Sequence, residues 1–120
     1  MITEDYVSFE IAKLLKEKGF DEPTTKSYYT EGFENPMKFS HDLLPCIRPD
    51  EFLCPTLQMA MKWLREVYNI NIEIRCTKTY VEAFIMTIED LPRCLCRGIS
   101  SNKYEKTCDV AIKYGLTNLI

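Results

Sequence analysis

Cys94 and Cys96 flank Leu95, and on a strand the side chains at i and i+2 share a face, so this pair is the first candidate for thiol chemistry. Two thiolates alone do not hold zinc. A structural site takes four ligands, usually in pairs two to four residues apart, and Cys46, Cys54, Cys76, Cys108 and the lone His41 supply no second pair. A C-x-C strand pair is also strained for a disulfide. The second candidate is His41 beside Asp42, with Cys46 nearby, the one stretch where a nucleophile and a base are close in sequence. Cysteine catalysis needs thiolate and imidazole to meet in space, and one short loop seldom supplies both partners. The glycines at 19, 32, 98 and 115 are isolated, so no phosphate-cradling loop is present. Acidic pairs such as Asp50-Glu51 and Glu89-Asp90 sit in turns and read as solvated. We therefore expect no metal, no cofactor and no catalytic constellation, and read the chain as a non-enzymatic binding or interaction protein.

Two surfaces could serve such a role. Trp63 falls between Met61 and Leu64, and Met59 lies on a similar flank. With Phe33 and Phe39 from the preceding apolar segment, they form a candidate contact surface for a protein partner or a second copy of the chain, because exposed aromatic and Met side chains favour interfaces. For Trp63 itself the blander reading, burial beneath the 31–54 segment, comes first and the contact surface second. The other surface is basic: Arg93, Arg97, Lys103 and Lys106 surround the start of the last helix. The order helix, three strands, helix from Pro55 to Ile120 resembles the double-stranded-RNA-binding domain, which implies duplex-RNA binding by these cations. Glu105 and Asp109 are interspersed among them, and we place this reading second. A small metal- or thiol-dependent enzyme using His41 or the cysteines is the third.

The elements that must position these residues follow from periodicity. Ser8 caps a helix from Phe9 to about Lys18 with the stripe Ile11, Leu14 and Leu15, and Gly19 ends it. Thr25 to Thr30 reads as a short strand. From Glu31 to Cys54 the prolines 36, 45 and 49 punctuate an apolar stretch, expected to be an irregular cover with single helical turns after Ser40 and Arg48. Pro55 is placed at the first position of a second helix, whose stripe is Leu57, Met61, Leu64 and Tyr68 with Ala60 and Val67 beside it. Ile70 to Cys76 alternates as a half-buried strand. Tyr80 to Ile88 reads as a central strand and Arg93 to Ile99 as its return. Asn102 and Glu105 form a capping pair for the last helix, which buries Cys108, Ala111, Ile112 and Gly115. The expected fold is α+β, a small two-layer domain with an antiparallel sheet of three to four strands packed by three helices, in the order α-β-cover-α-β-β-β-α.

The 120 residues make one domain, 1–120, by length. At 46% hydrophobic and a net charge of −3 the chain is not disordered, and no apolar run could span a bilayer. Residues 1–54 carry 6 basic and 11 acidic groups, net −5; residues 55–120 carry 9 and 7, net +2. The first residues lack an apolar leader region, so the expected compartment is the cytoplasm, where six thiols serve as small apolar residues. The block Lys62-Trp63-Leu64-Arg65-Glu66 within Cys54 to Ile74, together with Tyr6 to Phe20, is similar to a family of small proteins frequent in Bacteroides-group gut anaerobes and their phages and mobile elements. That resemblance implies a habitat and no activity.

Overall fold

Ser8 starts the first element as expected: its hydroxyl accepts from the Ile11 N–H at 3.4 Å, and Gly19, at φ 94°, turns the chain away after the helix. The computed structural model describes residues 2–44 and 48–120, the backbone alone at 41–44. It contains α1 (Phe9–Glu17), β1 (Thr24–Tyr29), β2 (Met37–Leu44), β3 (Glu51–Leu53), α2 (Leu57–Tyr68), β4 (Ile70–Cys76), β5 (Val81–Thr87), β6 (Cys94–Ser101) and α3 (Tyr104–Asn118). The chain is α+β, with its strands divided between two three-stranded antiparallel sheets, β2-β1-β3 and β4-β5-β6, where the sequence suggested one. Two compact units result, Met1–Thr56 and Leu57–Ile120.

In the first unit, β1 is the central strand. Ser27 lies opposite Phe39 and Leu53, and Tyr29 opposite Met37 and Glu51. The helix α1 packs along β3, burying Ile11, Ala12 and Leu15. Its Phe9 ring meets Phe52 and Tyr28 edge-on, with centroids 5.2 and 5.6 Å away. The segment before α1 is tied down by a Val7 N–H bond to the Pro55 carbonyl and by the Tyr28 hydroxyl, which donates to the Val7 carbonyl at 3.0 Å. The described part of the 31–54 segment is thus not an irregular cover: β2 runs through Ser40, where a helical turn was expected, and Arg48 leads through a turn into β3. Pro55 is likewise not the first residue of α2. It belongs to the extended pairing around the Tyr6–Thr56 bridge, and the helix begins at Leu57.

In the second unit, α2 ends on Asn69, whose φ of 56° puts it in the left-handed region and lets β4 start at the next residue. The alternation of β4 is as expected, with Ile70 and Ile72 buried. Val81, Ala83 and Ile85 of the central strand β5 face α3, while Phe84 and Met86 are half-buried on the other side. Ile85, Leu64, Ile112 and Leu116 are fully buried, each contributing about 1.5–3 kcal/mol of apolar transfer. Three expectations fail here. Val67 is exposed in the last turn of α2, although it follows Ala60 by seven residues on the same side of the helix, while Trp63 is buried, the blander of the two readings given for it. Cys76 is exposed rather than buried. Asn102 does not cap α3; the Ser101 hydroxyl accepts from the Lys103 N–H at 3.2 Å instead.

Candidate interaction surface

The turn between β1 and β2 sets out the most prominent aromatic feature of the first unit. Phe33 lies in this turn and Phe39 on β2, and their ring centroids are 5.7 Å apart. Tyr29, on the same face of β1, lies 5.8 Å from Phe39. The face is set by register, since Tyr29 opposes Met37 and Ser27 opposes Phe39, and alternate residues share one side of a sheet. Phe33, Met37 and Phe39 are each 43–44% exposed. Large apolar side chains grouped at this exposure are a contact feature rather than a scattered surface residue.

The surface is held rigid by Asp50. Its backbone carbonyl accepts from the Thr30 N–H at 3.3 Å and its carboxylate from the Glu31 N–H at 3.2 Å, while the Phe33 N–H closes back on the Thr30 carbonyl. The same carboxylate takes both Nε and Nη2 of Arg48 at 3.0 Å, a bidentate pair. This clamps the guanidinium 5.2 Å above the Tyr29 ring. The Tyr29 hydroxyl donates to the Glu51 carboxylate at 2.7 Å. Desolvation, and next the Glu51 carboxylate, hold the Tyr29 phenol above its ordinary value of 10.0. The arrangement offers apolar rings, a stacked guanidinium and acidic neighbours.

Of the contact residues read from sequence, the structure brings Phe33 and Phe39 together. Met59 is 41% exposed on α2, whereas Trp63 is only 6% exposed, with its ring edge-on to Tyr68 at 5.3 Å. Trp63 therefore offers almost no surface. Tyr29, Met37 and Arg48 were not singled out, although the alternation Ser27/Tyr29 and Met37/Phe39 around the Gly32–Pro36 turn carries the signal.

The basic set is scattered. Arg93 stands at the start of β6 and pairs with Glu89 at 3.4 Å; Lys103 follows the far end of that strand, with Lys106 in the first turn of α3 and Arg97 between them on β6. The thiols separate as well. Cys94 opposes Met86 and Cys96 opposes Ile85, neighbouring β5 residues that point to opposite faces, because Leu95 is an extra residue in the register. The expected common face of Cys94 and Cys96 is lost to this bulge. The side chains of His41 and Asp42, and all of Cys46, lie outside the described residues. Among the described residues no three His, Cys, Asp or Glu side chains group as a metal site, and no helix is long and apolar enough to cross a membrane. No protein-family model matches the chain, and no curated protein or solved structure is significantly similar to it.

Proposed function

We propose that this chain is a protein-binding module that engages its partner through the aromatic face of the β1–β2 hairpin. The observation that carries the reading is the group of Phe33, Phe39 and Tyr29 rings, joined by Met37, at a surface fixed in place by Asp50. Aromatic, Met and Arg side chains are the types that dominate binding energy at interface centres. The hairpin is preorganised, so little ordering cost opposes binding. Around the rings stand Glu31 and Glu34, on a half-chain of net charge −5. The matching partner is a protein with an apolar central pocket and a basic rim. The free, exposed thiols of Cys76 and Cys94 fit a reducing setting such as the cytoplasm.

A photoreactive benzoylphenylalanine at position 33, irradiated in an extract of the source cells, tests this directly. The expected result is a discrete adduct, abolished by Phe39→Asp and unaffected by Met59→Asp. An adduct no stronger than that from a probe at exposed Glu22, or one indifferent to Phe39→Asp, refutes the reading.

A further inference from the structure

The second unit holds a groove of about 410 Å³ between α2, β4 and the start of α3, within the size range of small-molecule sites. Its floor is apolar: Met61 and Ile72 are 5% and 7% exposed, and Ile74 is half-buried beside them. One wall is polar, where the Gln58 amide donates to the Tyr104 hydroxyl at 2.8 Å and so fixes both groups across the groove. The other wall is cationic. Lys62 and Arg65 are three residues apart on α2 and therefore project from one flank of the helix. Among the described residues neither is in an ion pair, while Arg75 and Arg93 of the same unit are matched with Glu82 and Glu89. Glu73, between the two isoleucines, leaves the opposite face of the sheet. Two uncompensated cations over an apolar floor, faced by a preset hydroxyl and amide, form a site with a chemical direction.

We infer that this groove binds a small organic anion, with an apolar body on the half-buried Ile74, backed by Met61 and Ile72, and its phosphate or carboxylate between Lys62 and Arg65. The groove shares no residue with the hairpin surface, and each reading stands or falls alone. Titration of the isotope-labelled protein with phenyl phosphate, followed by amide NMR shifts, provides the test. Saturable shifts are expected at Gln58, Lys62, Arg65, Ile72 and Tyr104, with a Kd in the millimolar range or tighter. Inorganic phosphate should bind at least about tenfold more weakly, since it cannot use the floor. Lys62→Glu with Arg65→Glu should weaken phenyl phosphate by about tenfold or more, and the milder Lys62→Gln by less, while Phe39→Ser leaves it unchanged. Absence of saturable shifts overturns the inference. So does equal binding of inorganic phosphate, or tighter binding at these residues by a duplex RNA of about 16 base pairs, which would make the groove a nucleic-acid contact.

Discussion

Lys16 of α1 donates from Nζ to the backbone carbonyl of Glu51 at 2.7 Å, and so closes the outer edge of β3. The same amine reaches the Pro49 carbonyl at 2.9 Å and lies 4.6 Å above the Phe52 ring. One charge thus serves a carbonyl of a strand only three residues long and one of the turn before it, where a sheet edge otherwise needs water or another chain. Lys16→Met keeps the apolar stem and removes the donor; urea denaturation should show a loss of about 1–3 kcal/mol.

Thr107 plays the corresponding part in the second unit. Its side chain is 1% exposed, donates to the Val81 carbonyl at 3.1 Å and shares a 2.7 Å bond with the Ser101 hydroxyl, tying α3 to β5 and β6. Thr107→Val preserves shape but strands these partners, and should cost about 1–3 kcal/mol. Thr107→Ser, which keeps the hydroxyl, should cost less in the same measurement.

Gly115 lies inside α3 with ordinary helical φ, and a Cβ there would meet only the Leu64 Cδ1, at 3.7 Å. That is an ordinary contact. Gly115→Ala should therefore stabilise the protein by about 0.5–1 kcal/mol through helix propensity and reduced freedom of the unfolded chain, read as an increase in Tm. A fall in Tm would mean that α2 and α3 approach more closely than this distance.

Burial pushes the thiols of Cys54 and Cys108 from their ordinary 9.0 up to about 11. The folded state holds two protons that the unfolded chain releases earlier. Their contribution to stability is complete below pH 9 and is lost as the pH rises through about 11. Tyr29 and Tyr104, raised mainly by desolvation, act in the same direction. Thermal melts should show Tm falling across this window, with a shallower fall in the double variant Cys54→Ala and Cys108→Ala. In neutral buffer a thiol reagent should modify Cys76 and Cys94 well before either buried thiol.

The hairpin rings should matter little to folding. Phe33→Ser and Phe39→Ser remove side chains that remain more than two-fifths exposed, so each should change stability by no more than about 1 kcal/mol. With the photoprobe at position 33, Phe39→Ser should nevertheless abolish the partner adduct. A variant that unfolds the protein would reassign these rings to the core.

Elements that bury one face were legible in the sequence. The Ser8 cap, the stripe of α1, the strict alternation of Ile70, Ile72 and Ile74 and the long apolar face of α3 all obey a period that burial enforces. β2 and β3 obey none. The described side chains of β2 are exposed from Met37 to Ser40, and β3, although it buries Glu51 and Leu53, is only three residues long, too short for alternation to register as a pattern. The prolines at 36, 45 and 49 then make the stretch look irregular. The same reasoning explains the partial success with the contact residues. Phe33 and Phe39 meet through a hairpin register, a pairing between strands that composition does not encode, whereas Trp63 and Val67, four residues apart on one side of α2, differ in burial, which periodicity alone does not distinguish. Cys94 and Cys96 separate because one extra residue in β6 overrides the simple rule of alternation.

The broken register of β6 also bears on how the protein behaves at high concentration. This edge strand shifts twice against β5, once between the partners of Ala83 and Ile85 and once between those of Ile85 and Met86, and Gly98 adopts a φ of 90° within it. Its longest uninterrupted pairing run is Ile99 to Ser101. A strand arriving from another molecule would find no straight ladder to extend, so β6 resists templated stacking by geometry rather than by charge. Straightening it, which takes the removal of one residue at each of the two shifts, would restore a continuous rim and with it a route to fibrous assembly.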